Sequence, residues 1–357
     1  MAQTAEVSRR LAAYLGVPLH NLHILASGWE TTVFEFAPAG HASRIAAVAP
    51  GQTLVLRCYE GPDADDKARR ESRTIAALAA SNYPVPRPYL FEPDRAPLGT
   101  PFLIMERVGG GPLFAARHFL GALKTFSLGF IGFVRAQTRL HRLHPDPARL
   151  ADFSSACRTS RESSGATLLE RILGVIAERI EQGPLPGLRD ALASLRERED
   201  RFREASTSVV HMDYHPQNVI VHGLRVTGVI DWVSADRGDR HLCAATTSVI
   251  LASSAMDHPR WMRDNAIGNS LRALFTALYI PLYHALAPME WERFHYCQAV
   301  AALHRLSMFG IMRARGAEAA GFRAAASANV THGAIRRLSR YTARKAGRSV
   351  NIRTVSA

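Results

Sequence analysis

The chain has 357 residues, 47% of them hydrophobic, and a mean hydropathy of −0.06. This excludes a disordered polymer and a membrane-embedded bundle, and it allows one or two domains with a sizeable core. Net charge is +13, but eight of those positive charges lie from Arg323 onward with no acidic residue among them, leaving five on the rest. Only Tyr341 interleaves with the basic run as an aromatic, which argues against nucleic acid and predicts a solvated, partly disordered terminus. Cys58, Cys157, Cys243 and Cys297 are scattered without metal-ligand spacing, and no basic-then-apolar leader opens the chain. Both features suit a reducing, cytoplasmic setting. The most apolar stretch, 273–286, carries Pro281 and His284 and is too short to span a bilayer.

In chain order, Val7, Leu11, Tyr14 and Leu15 recur at helical spacing and predict a helix over 5–16. Leu22 to Leu25 and the run Val33, Phe34, Phe36 predict two strands broken at Gly28. Residues 52–59 predict a third strand with Arg57 near its end. Residues 63–80, charged early and apolar late, predict a helix that contains Glu71. Pro84, Pro86 and Pro88 then force extended chain. The apolar strand from Phe102 to Met105 runs through Glu106, Arg107 and Val108 into three glycines, and a lobe boundary is expected near Gly109. Beyond it the pattern is helical over 120–143, 166–182 and 188–205. His141 and His144 end the first of these stretches and read as caps or packing. Further helix is expected over 242–252 and 257–320, its aromatic residues assigned to core.

Residues 209–233 carry the chemistry. Val209-Val210 leads in, Val219-Ile220-Val221 and 226–230 read as the arms of a hairpin, and polar residues sit at its mouth. Folding the hairpin sets Asn218 beside Asp231. The spacing from His211 to Asp213 to Asn218 matches the kinase catalytic loop H-x-D-x-x-x-x-N. Metal-assisted phosphoryl transfer needs a carboxylate to take a hydroxyl proton, the position of Asp213. It also needs hard oxygen ligands for Mg2+, the positions of Asn218 and Asp231.

The loop His-Met-Asp-Tyr-His-Pro-Gln-Asn, 211–218, followed by Ile230-Asp231-Trp232, resembles the aminoglycoside phosphotransferase family of kinase-like small-molecule phosphotransferases. The resemblance implies a bilobal α+β protein-kinase-like fold. A sheet-rich lobe over 1–108 covers the nucleotide, and a helical lobe over 109–357 holds the catalytic loop and substrate site. It implies ATP or GTP with Mg2+, and transfer of the γ-phosphoryl to a hydroxyl of a small molecule, an antibiotic or a metabolite. His211 is then expected to brace the loop, Gly28 to mark the turn over the phosphates, and Arg57, oriented by Glu71, to hold the α- and β-phosphates. The main chain of Glu106 to Val108 is expected to meet adenine. Thr31 stands where relatives often carry Asn, and Arg57 where protein kinases use Lys. No activation segment follows Asp231, which disfavours a protein kinase; retention of all three loop residues disfavours a non-catalytic pseudokinase. Asp236 and Asp239 are expected to make local turn bonds. The acids after residue 240 are few: Asp257, Asp264, Glu290, Glu292 and Glu318. That disfavours a polycationic aminoglycoside as substrate. The sequence leaves the oligomeric state open.

Overall fold

The computed structural model describes residues 2–61, 63–113, 119–143, 166–203, 207–253 and 266–352. Helix α1 (Ala2–Leu15) leads into β1 (Leu19–Ser27) and β2 (Thr31–Pro38). β3 (Leu54–Tyr59), α2 (Ala64–Ala80), β4 (Pro88–Glu92) and β5 (Phe102–Glu106) follow. The five strands form one antiparallel sheet in the order β1-β2-β3-β5-β4. Its side chains alternate between two cores, as a period of two demands. Phe34, Phe36, Leu54, Leu56, Phe102 and Ile104 face α1, where Leu11 and Leu15 pack on them. Val55, Tyr59, Leu103 and Met105 face α2 and the helical lobe. Each such burial contributes about 1.5–3 kcal/mol. β4 lies at the sheet edge and begins at Pro88, a place where a missing N–H costs no ladder bond. The three prolines concealed this strand in the sequence.

Beyond β5 the chain bends at Gly110. Its φ is +109°, and a Cβ there would lie 2.3 Å from the carbonyl oxygen of Val221, so only glycine fits. β6 (Gly111–Pro112) then pairs with β8 (Val219–His222), and β8 with β9 (Arg225–Val229), while β7 (Ser208–Val210) pairs with β10 (Asp236–Gly238). The helices are α3 (Phe119–His141), α4 (Leu168–Gln182), α5 (Arg189–Arg196), α6 (Arg240–Ser253), α7 (Ala266–Leu286), α8 (Trp291–Arg315) and α9 (His332–Ala346). α8 is the hub and packs against α4, α6 and α9. A capping box between Thr167 and Glu170 starts α4. Among the described residues no helix is long and apolar enough to cross a membrane.

Three expectations are corrected. The helix expected over 188–205 ends at Arg196 and gives way to a 3-10 turn at Asp200–Phe202, because the charged run 196–201 offers no apolar stripe to bury. The helical stretch to 320 is broken at 287–290, where Pro288 interrupts and the Met289 N–H is taken by His284 Nδ1. Within the basic terminus, residues 332–346 form an ordered helix. Thr331 caps α9, and Ala334, Ile335, Leu338, Tyr341, Thr342 and Ala346 are buried on one face. Its arginines occupy the remaining surface, so charge count concealed an amphipathic stripe. Phe275, Tyr279, Phe294, Tyr296 and Phe309 are core as expected, whereas Trp291 is exposed. His141 packs inside, 2.6 Å from the Tyr283 hydroxyl. His144, Cys157, Asp257, Trp261 and Asp264 lie outside the described residues.

Candidate active site

The β8–β9 hairpin pairs Val219 with Val229, and the Ile230 N–H donates to the Asn218 carbonyl at 2.9 Å. Asn218 and Asp231 therefore stand side by side at its mouth. Met212 and Asp231 adopt φ of 58° and 67°, left-handed backbone that non-glycine residues rarely enter. Such strain is characteristic of functional loops.

His211 joins the two sides of this mouth. It is wholly buried, its ring 4.5 Å from that of Trp232. Nε2 lies 3.0 Å from the Ile230 carbonyl and Nδ1 accepts the Asp213 N–H at 3.3 Å, an arrangement that needs the proton on Nε2. Burial holds the imidazole pKa below its ordinary value, so the neutral ring is the stable form. Asn218 Nδ2 donates to the Asp213 carbonyl at 3.0 Å and faces its Oδ2 at 3.4 Å. With the amide nitrogen engaged there, the amide oxygen is turned the other way.

The Asp213 and Asp231 side chains each keep 38% of their surface open, enough for a hydroxyl or a cation to reach them. Burial alone would raise the pKa of Asp213. His215, whose Nε2 is 3.5 Å from Oδ2, and the charge of Arg305 outweigh it, and the carboxyl sits below its usual range.

Arg57 does not point to water. It is buried, with Nε 2.9 Å from Glu71 Oε2 and Nη2 donating to Asp231 Oδ1 at 2.6 Å. Burial opposes its charge, but Asp231 and Glu71 prevail and raise its pKa. Glu71 is fully buried; it accepts from the Tyr59 hydroxyl at 2.7 Å and the Trp232 N–H at 2.9 Å. Burial lifts its carboxyl pKa, with Arg57 opposing. One carboxylate thus ties β3, α2 and the segment after the hairpin to a single cation. Lys67, the alternative partner of Glu71, turns instead to Glu30 Oε1 at 3.2 Å and the Gly321 carbonyl.

Gly28 closes the β1–β2 turn, its N–H donating to the Thr31 carbonyl at 2.9 Å. At the end of β5 the Glu106 N–H is taken by the Arg87 carbonyl, and the Val108 carbonyl accepts from Arg107 Nη1 at 2.7 Å. Asp236 pairs with Arg171, and Asp239 with His241 and Arg293, so both serve structure as expected. Tyr59, Lys67, Glu30 and Arg323 join the site's surroundings without any local sequence signal. Asp231 and Asn218 together offer hard carboxylate and amide oxygens, the donor chemistry that Mg2+ takes while keeping several waters.

A sheet-rich lobe over a helical one, with two carboxylates and an amide converging beneath an anchored arginine, defines the protein-kinase-like class. A sequence model described as the phosphotransferase enzyme family matches residues 21–288, and the chain belongs to that family. A comparison with curated protein sequences found no match. Among solved structures, a thermostable mutant of aminoglycoside phosphotransferase APH(4)-Ia in ternary complex with ADP and hygromycin B aligns at 17% identity and TM-score 0.58. The alignment covers 95% of this chain and 98% of that one. Macrolide 2'-phosphotransferase MphH from Brachybacterium faecium aligns at 17% identity and TM-score 0.55, covering 90% and 97%. A putative aminoglycoside phosphotransferase from Ralstonia eutropha JMP134 does so at 17% and 0.57, covering 93% and 98%. At these identities the likeness establishes the shared fold.

Proposed function

We propose that the chain is a small-molecule kinase that moves the γ-phosphoryl of ATP or GTP to an alcohol, with the lobes divided at 108/109. The convergence of Asp213, Asn218 and Asp231 at one hairpin mouth is the observation that supports this most strongly. Asp213 accepts the proton of the acceptor hydroxyl; the oxygen attacks the γ-phosphorus as the bond to the bridging oxygen breaks, and the nucleoside diphosphate departs. Asn218 and Asp231 would hold Mg2+, which supplies charge neutralisation at the phosphates when bound. Arg57, fixed by Glu71, faces the same phosphates, and its planar fork suits their oxygens. His211 keeps the two arms of the loop in register.

The acceptor is an alcohol of lower positive charge than an aminoglycoside, such as a macrolide, a sugar or an amino alcohol. Arg305 places positive charge beside Asp213, and acids are few after residue 240. The buried free thiols of Cys58 and Cys243 accord with the reducing cytoplasm. A coupled ADP-release screen against antibiotics, sugars and amino alcohols tests the reading. Turnover with at least one alcohol, abolished in Asp213→Ala, is expected. Nucleotide binding with no transfer to any acceptor favours a pseudokinase, and phosphorylated Ser or Thr on a bait protein favours a protein kinase.

A further inference from the structure

After α8 the chain returns to the sheet-rich lobe, and at residues 321–323 it grips the β1–β2 turn. Arg323 makes most of the contact. Its N–H donates to the Trp29 carbonyl at 2.9 Å. Nη2 donates to Ser27 Oγ at 2.8 Å and to the Gly28 carbonyl; Nη1 donates to Thr32 Oγ1 at 3.1 Å and Glu60 Oε2 at 3.2 Å. Phe322 stands edge-on to Trp29 at 5.1 Å, and Lys67 reaches the Gly321 carbonyl from α2. One guanidinium therefore spans both strands of a turn that the Gly28 N–H closes onto the Thr31 carbonyl and that Glu60 and Lys67 hold through Glu30.

We infer that Arg323 is a positioning residue for the nucleotide: it sets the Gly28 turn in its phosphate-receiving shape before nucleotide arrives. This rests on the phosphotransferase reading, in which that turn covers the phosphates. The physical reason is preorganisation. A turn already held by four bonds from Arg323 loses less conformational freedom when a ligand orders it, and that saving appears as affinity. The residue comes from outside the family-matched stretch 21–288, so this chain completes its nucleotide lobe with its own carboxyl-terminal segment. Lysine cannot replace it fully, since one ammonium lacks the two divergent arms.

The test uses the full chain and calorimetric titration with Mg2+·AMP-PNP, alongside amide hydrogen exchange. Arg323→Gln is expected to raise Kd by about tenfold, and Arg323→Lys by less. Exchange should quicken at 28–32 and stay unchanged in β3, a pattern that general destabilisation does not produce. If Arg323→Gln fails to fold, Arg323→Lys carries the same comparison. Unaltered affinity and exchange in a folded variant would overturn the inference while leaving the phosphotransferase reading standing. Failure of the wild-type chain to bind nucleotide would overturn both.

Discussion

Two clusters of buried charge, one around Arg57 and one around Arg293, use the same residue types to different ends. Around Arg293, Asp239 is consumed. Its Oδ1 accepts from the His241 N–H at 2.7 Å and meets His241 Nδ1 at 2.7 Å, while Oδ2 accepts from Arg293 at 3.0 Å. His241 Nε2 accepts the Glu290 N–H, so each group has its partner and Asp239 is only 11% exposed. Around Arg57, Glu71 is equally enclosed, but Asp231 remains 38% open and sits on left-handed backbone. The first cluster closes on itself and serves stability; under the proposed phosphotransferase reading the second leaves a carboxylate edge open for chemistry and accepts strain to do so.

Substitutions sharpen the contrast. Asp213→Ala and Asp231→Ala should each lower turnover by about a thousandfold, measured by ADP release; in thermal melts Asp213→Ala should barely move the melting temperature, whereas Asp231→Ala lowers it by removing a partner of buried Arg57. Equal activity in either variant would erase the distinction. Asp239→Asn should do the reverse. It leaves Arg293 with a weakened partner and costs about 3 kcal/mol of stability, with turnover per folded molecule unchanged. Glu71→Gln should fall between them, reducing both, because that residue is at once the anchor of Arg57 and a buried charge.

The clusters also differ in their response to pH. His241 and Arg293 outweigh the effect of burial and hold the Asp239 pKa below its ordinary 3.8. A carboxyl depressed on folding stabilises the protein above the unfolded pKa and loses that contribution as pH falls through the folded one. The difference in melting temperature between wild type and Asp239→Asn should therefore be constant from about pH 8 to 5 and close below about pH 3.9. A gap that closes near neutrality would contradict the assignment. The smallest effect concerns Asp213, which His215 helps to keep ionised. His215→Ala should move the acid limb of kcat/KM to higher pH and leave the neutral plateau in place.

The site was legible in the sequence where its parts are local. The loop 211–218 sits in a pattern with a fixed spacing and the hairpin sets Asp231 beside it; the strand cation Arg57 was legible through the resemblance, and the structure brings it to Asp231. Glu71 was legible only through the resemblance, because an i,i+4 pairing with Lys67 reads equally well until burial is known. Arg323 was not legible: its partners Ser27, Gly28 and Thr32 lie almost 300 residues earlier, and no spacing rule links them. α9 was legible but hidden. Ile335, Leu338 and Thr342 carry a helical period that the surrounding arginines masked. β4 was lost for the opposite reason, since prolines mark a break even where an edge strand tolerates them.

The most direct measurement is calorimetric titration of wild type and Asp231→Ala with AMP-PNP, in the presence and absence of Mg2+. The account predicts that wild-type affinity rises strongly with Mg2+ and that Asp231→Ala loses this dependence while remaining folded. Nucleotide affinity that is the same with and without the metal, in both proteins, would contradict it.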